Sequence, residues 1–411
     1  MQRMIFALAI AGSLTVGPPM HRASAGANGS NLARSAAQFV RESEQRDPLF
    51  ADQVGIHAYD DSLADLSPRG HASRIAWLRG WRGRIARADA DISPGDQADA
   101  QALLDTIDLE LFEDATVEPV HTDPTYYTEV IGQAIYALIG RHYAPPDERL
   151  RHAAPRLRRI PAIVAAAEVM LGRPSRVATL QAIDENAGNV ALYASLSQEA
   201  KSTSPRTQRA IARALPPALA SLRAFSTYLR RNVLPRSNRN PRVGAAVFDR
   251  ELVLADGTDQ TRAALVADAQ ADFQRNRAEM LQLAIPFDRR FFPNRTADET
   301  RSDAVDVVVR RVLDRLAERH PTRTTIFRTA KDDVATSERF LAATPVVTLP
   351  VPASLAVVPT PDFMAGFAGA SLDPAGRTRR LPSRTSTSTR FQRAGVRRAS
   401  HRTYAISTTT R

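Results

Sequence analysis

Apolar residues recur with the period of an α-helix along most of this chain. Val305, Val308, Val309, Val312, Leu313 and Leu316 fall at i, i+3, i+4, i+7, i+8 and i+11, one stripe on one helical face. Arg310, Arg311, Asp314 and Arg315 take the other side, and His320-Pro321 ends the pattern. Leu103, Ile107 and Leu111 form a second stripe, with Asp105, Asp108 and Glu113 away from it, and Leu265, Ala269 and Phe273 form a third. Pro124 stands where a helix through Tyr126 to Ile139 would begin, a first-turn position that does not need the missing N–H. Pro155 and Pro161 predict a break or kink between Glu148 and Leu171. Residues 31–344 therefore read as helices with short polar joints, and no repeat period marks a solenoid.

The pattern changes at Thr344. Pro345, Pro350, Pro352, Pro359 and Pro361 exclude helix, and the runs Val346–Leu349 and Leu355–Val358 between them are short, β-branched and proline-bounded. They read as edge strands. A second change comes after Gly376. Residues 377–411 hold ten Arg, eight Thr and five Ser with no Asp, Glu or Lys, and they carry +10 of the formal net charge of +11. The fold class expected is mainly α: a large multi-helix domain over 38–375, a small β element near 345–358, and a disordered basic tail over 376–411.

The first 25 residues carry the marks of a secretory signal. Arg3 supplies a positive start, Ile5 to Val16 a short apolar run, and Ala23-Ser24-Ala25 a small-x-small cleavage pattern. Cleavage there would leave a flexible mature N-terminus over 26–37 on an exported chain, periplasmic or secreted, with no membrane attachment. There is no cysteine, which excludes a lipid-modified cysteine, a thiol nucleophile and a thiolate metal site. Two Lys against 53 Arg points to a GC-rich coding sequence.

Candidate chemistry is sparse. Zinc hydrolases hold the metal with two histidines on one helical face and use a neighbouring glutamate as base. None of the eight His is followed by Glu, and His142 and His152 are separated by Pro145-Pro146. His320 suits a helix end, where a cation meets the dipole. Asp60-Asp61, Asp105/Asp108 and Asp332-Asp333 are acidic pairs that read as solvated faces. No nucleophile elbow, phosphate loop or dinucleotide fingerprint is present, and Gly366-Phe-Ala-Gly369 reads as a loop. The tail has the charge for phosphate contacts, but Phe391 and Tyr404 are too few for a stacking platform, so nucleic acid is not an expected partner.

Three collinear stretches carry a resemblance: Phe50-Ala-Asp-Gln-Val-Gly55-Ile-His57-Ala-Tyr59-Asp60-Asp-Ser-Leu, Arg156-Leu-Arg-Arg-Ile-Pro161 and Asn240-Pro-Arg-Val-Gly244-Ala-Ala-Val-Phe248. Together with Pro350 to Pro374 they resemble the bacterial domain-of-unknown-function 885 family over residues 38–375. The resemblance implies an exported, helical protein similar to zincin-type metallopeptidases, with zinc as cofactor and peptides as substrate in complete members. There a His-Glu helix and a Pro-Gly-His sequence follow the part matched here. In this chain Arg377 to Arg411 stand at that place, so no catalytic or metal residue and no cofactor carries over. Gly55, His57 and Tyr59 match a family pattern whose functional reading is cleft lining and whose structural reading is a packed turn.

The first functional expectation is accordingly a truncated, inactive member of a zinc-peptidase-like family, its tail arising from out-of-frame reading near Gly376. The alternative is a non-enzymatic exported helical binding protein that uses the tail as a basic arm. Both leave the oligomeric state open.

Overall fold

A computed structural model describes residues 31–88, 94–257, 260–344, 346–347, 355–360, 370–373 and 387–391. The expected leader, the loop at 366–369 and the tail apart from 387–391 lie outside these residues. Two compact units emerge, one built from the described residues up to 257 with 355–391, the other from 260 to 347.

The first unit begins with α1 (Asn31–Arg46), so residues 31–37 are helical and not part of a flexible N-terminus. It continues through α2 (Pro48–Val54), α3 (Pro68–Ala88), α4 (Pro94–Phe112), α5 (Pro119–Thr122), α6 (Thr125–Gly140) and α7 (Pro146–Leu150). Then follow α8 (Ala153–Met170), α9 (Arg176–Glu199), α10 (Pro205–Tyr228) and α11 (Ala245–Asp256). The starts of α9 and α10 are set by side chains. Ser175 Oγ accepts from Ala178 N at 3.2 Å and Ser204 Oγ from Thr207 N at 3.4 Å, each satisfying a first-turn N–H that no backbone carbonyl reaches.

The main core lies where α6, α8, α9 and α10 meet, with Ile131, Ile135, Leu157, Ile160, Tyr193, Leu222 and Phe225 buried together. That burial explains why Pro161 does not break the chain as its residue type predicts. It sits inside α8, flanked by buried Ile160, Ile163 and Val164. One missing helix rung is outweighed by apolar burial at about 25 cal/mol per Å². Pro216 and Pro217 are carried inside α10 in the same way. A smaller cluster joins α1, α3 and α4 through Phe39, Leu78, Trp81, Ile85, Leu103 and Ile107, so the second predicted stripe is a core face. Trp77 and Trp81 both donate their indole N–H to Glu42 Oε2, at 2.7 and 2.8 Å. These two bonds bring the Glu42 carboxyl down to about 2.

The second unit contains α12 (Arg262–Phe291), α13 (Arg310–Ala317) and α14 (Ile326–Ala343), with a π-helical turn at Val305–Val309 before α13. Its core consists of Ala284, Ala304, Val308, Val309 and Val312. The predicted stripe there is half covered: Val308 is fully buried, whereas Leu313 and Leu316 stay 48% and 41% exposed. Phe273, on the third stripe, is 57% exposed. Asp288, fully buried, accepts two bonds from Arg311, Nε to Oδ1 at 2.8 Å and Nη2 to Oδ2 at 2.6 Å, the forked geometry that suits a carboxylate.

The β element is a three-stranded sheet in the order β1 (Leu355–Pro359), β3 (Thr387–Phe391), β2 (Ala370–Asp373). β1 runs parallel to β3 with Leu355 opposite Thr387, and β2 runs antiparallel to it with Ala370 opposite Phe391. The run 355–358 is thus a strand, while residues 346 and 347 form a bend. β3 falls within the Arg-rich stretch, where Thr387 and Thr389 supply β-branched positions.

Candidate functional site

A buried polar network ties the 52–60 segment to α8 and to the loop between α6 and α7. Asp47 caps α2, accepting from Leu49 N and Phe50 N at 3.1 Å each, and Pro48 fills the first helical position. Gly55 ends it with φ 85° and ψ 20°, the left-handed conformation that a side chain resists. The chain thereby reverses and carries His57 and Asp60 back beside Asp52.

Asp60 is the anion of this network. His57 Nδ1 lies 3.3 Å from its Oδ1, and the Tyr143 hydroxyl donates to its Oδ2. The His57 and Tyr143 rings stack with centroids 3.5 Å apart and an interplanar angle of 8°. Arg149, itself buried, donates Nε to Ala144 O at 2.8 Å and so fixes the loop that presents Tyr143. Burial pulls the Asp60 carboxyl up, but hydrogen bonds from His57, Asp52 and Tyr143 outweigh it and set the group at about 2. Burial, then Asp60, push the Tyr143 phenol well above its ordinary range.

Asp52 is the acid. It is 4% exposed, and its Oδ2 lies 2.8 Å from Arg156 Nη2 at an angle that completes no hydrogen bond, leaving both carboxyl oxygens without a donor. Burial, joined by the neighbouring Asp60, raises it to about 7 against the pull of Arg156. A proton held on Asp52 and directed toward Asp60 relieves the repulsion between the two buried carboxyls, while the other Asp52 oxygen stays without a donor. Arg156, fully buried, spans the network: Nε donates to Asp60 O at 2.6 Å and Nη1 to Ala134 O at 2.9 Å. Arg141 Nη1 adds a bond to Asp52 O at 2.8 Å.

Of the three residues picked from the sequence, the structure brings one into this network. His57 stacks and bonds within it, Gly55 makes the turn that delivers it, and Tyr59 faces a different opening, a cleft it shares with Arg158 and Arg159. Sequence reasoning missed Asp52, Tyr143 and Arg156. Two of them lie inside the stretches that carry the family resemblance, Asp52 two residues after Phe50 and Arg156 at the head of the Arg156–Pro161 run. The other acidic pairs stay apart from it: Asp108 pairs with Arg82, Asp105 accepts from Gln101, and Asp332 and Asp333 are exposed. Asp61 is 64% exposed and bonds His152 Nδ1 at 2.8 Å, and His320 Nδ1 bonds Ala317 O at 2.7 Å.

Asp52, His57 and Asp60 place one potential ligand atom each within 4.8 Å of one another, and they are the metal-capable group among the described residues. They do not fit the zinc that the resemblance implies. A guanidinium already sits 2.8 Å from Asp52, the Nδ1 atom of His57 faces Asp60, and Tyr143 donates to the same carboxylate. A second cation would have to displace the first.

The sequence pattern of the family described as "Bacterial protein of unknown function (DUF885)" matches residues 48–410. The chain belongs to that family. The match runs beyond residue 375 and through the Arg-rich stretch. No curated protein matches. Among solved structures, a putative lipoprotein of unknown function from Shewanella oneidensis is similar, with a TM-score of 0.65 at 19% identity over 89% of this chain. This chain covers 64% of that protein's length. The likeness is one of fold. No described helix is long and apolar enough to cross a membrane.

Proposed function

We propose that this member of a bacterial family of unknown function is an exported, metallopeptidase-like helical body that does not itself hydrolyse peptides. The observation that carries the reading is the closure of the Asp52–His57–Asp60 group around Arg156. Asp52 and Asp60 are set against the Arg156 cation within the protein, although neither Asp52 oxygen nor Arg156 Nη2 completes a hydrogen bond, and the arrangement suits a clamp on the 52–60 turn. The absence of any His-Glu pair supports the same view, and the leader pattern supports export.

The reading does not need the tail to be out of frame. A family match that continues to residue 410 weighs against that origin, since out-of-frame residues have no reason to follow a family pattern. The test is to measure zinc per chain after dialysis against micromolar zinc, together with hydrolysis of short peptides. The expected result is substoichiometric zinc and no cleavage. One zinc per chain with chelator-sensitive cleavage would overturn the proposal.

A further inference from the structure

The polar clamp backs a groove. Two adjoining clefts, about 360 and 500 Å³, share Gln45, Leu63 and Arg159 and lie between the 59–66 segment, the start of α3 and the outer face of α8. Helix α8 serves both sides. Arg156 and Leu157 point into the core, while Arg158 and Arg159 are exposed along the groove, joined from α3 by Arg69.

These three guanidinium groups are not committed to carboxylates. None is hydrogen-bonded to one among the described residues, although Arg69 and Arg159 act on Asp65 through space. The acids nearby are held by other donors. Asp65 accepts from Ser67 N at 3.0 Å, Asp61 from His152, and Asp47 caps α2. The floor is apolar, with Leu63, Leu66 and Val120 buried and Tyr126 half-buried in the first cleft. The wall does not have to be ordered on binding, because Arg156 grips Asp60 O and His152 grips Asp61.

We propose that this groove binds a small organic oxyanion, a carboxylate or phosphate head joined to an apolar body, with Arg69 and Arg159 on the head and the Leu63 and Tyr126 surface under the body. Arginine forks match both head groups, and an apolar floor with a few convergent charges is the usual make-up of a ligand site. The inference does not depend on whether the chain hydrolyses peptides.

The test is calorimetric titration of the full chain with N-acetylphenylalanine and with phenyl phosphate, which separate the two kinds of head. N-acetylphenylalaninamide and inorganic phosphate serve as controls. Saturable binding of at least one organic anion is expected, about tenfold tighter than the neutral amide or inorganic phosphate. It should weaken with added salt and fall about tenfold in Arg69→Gln and in Arg159→Gln. Both arginines are exposed, so the variants should keep the wild-type circular dichroism and urea midpoint. Absence of saturable binding, or affinity unchanged in both variants, overturns the site. Inorganic phosphate binding as tightly as phenyl phosphate overturns the apolar half of the proposal.

Discussion

Asp52→Asn isolates the proton that the buried network holds. In the unfolded chain this carboxyl titrates near 3.8, and in the fold it is raised to about 7 by burial. Between those values the folded chain holds a proton that the unfolded chain has released. The stability from Asp52 is therefore complete below pH 3.8 and is lost as pH rises to about 7. From pH 4.5 upward the remaining interval is about 2.5 units, or roughly 3 kcal/mol at 1.36 kcal/mol per unit. Glu185, buried against Thr128 and raised from 4.5 to about 7 by burial, adds a fall of similar size and sign. Asp60, lowered to about 2, loses its contribution only as pH drops below 3.8, outside this window. The asparagine amide can donate to Asp60 as the protonated acid does, without titrating. Urea unfolding followed at 222 nm at pH 4.5, 6.0 and 7.5 should show wild-type stability falling across the series. The fall in Asp52→Asn should be about 3 kcal/mol smaller, and Asp52→Asn with Glu185→Gln nearly flat. Parallel pH profiles for wild type and Asp52→Asn, within about 1 kcal/mol, would refute the assignment of the shared proton.

Arg156→Met should lower stability by about 3 kcal/mol at pH 7 in the same urea assay, because it leaves the buried carbonyls of Asp60 and Ala134 without their donors. Gly55→Ala should lower the urea midpoint by the equivalent of roughly 1–2 kcal/mol, since φ of 85° places a Cβ against the following carbonyl. In the second unit, Val308→Ala should cost about 2 kcal/mol and speed amide exchange across 304–312, whereas Phe273→Ser, at an exposed site, should change stability by less than about 0.5 kcal/mol. Deleting residues 377–411 removes ten positive charges, so retention on a cation-exchange matrix should drop sharply while far-UV circular dichroism per helical residue is kept. Unchanged retention would reject the basic-arm reading.

Helical periodicity made much of the fold legible before any coordinates, because a stripe such as Leu103, Ile107 and Leu111 has one face to bury. Where the sequence reading erred, a local rule met a tertiary one. Pro161 carries a strong helix-breaking signal, yet buried Leu157, Ile160, Ile163 and Val164 on the same turns hold the helix through it. The reverse happened at 305–316, where a regular stripe predicts full burial and Val305, Val308, Val309 and Val312 find partners while Leu313 and Leu316 stay exposed. Periodicity shows which face is apolar and not whether anything covers it. The buried network was harder to see. Asp52 and Asp60 are eight residues apart with a glycine turn between them, Tyr143 and Arg156 come from beyond α6, and no helical or strand spacing links the four. Only Gly55, whose chirality requirement is local, was readable from its residue type alone.

The run Arg156-Leu-Arg-Arg shows how one short segment can hold two kinds of arginine that composition cannot tell apart. Residues 156 and 159 are three apart on α8, a spacing that often keeps side chains on one face. Yet Arg156 is fully buried and Arg159 is exposed. The difference lies in what each meets. Arg156 finds a backbone carbonyl from α6, another from the 52–60 segment and the Asp52 carboxyl, enough acceptors to offset the loss of hydration of a buried cation. Arg159 meets an apolar cleft and an aspartate already engaged by Ser67. If both arginines were merely solvated surface, replacing either by glutamine should be equally mild. If the division drawn here holds, Arg156→Gln should shift the urea midpoint and leave too little folded protein for a meaningful titration. Arg159→Gln should keep the midpoint and lose the anion. A variant pair that behaved alike in both assays would remove the basis for separating clamp from groove.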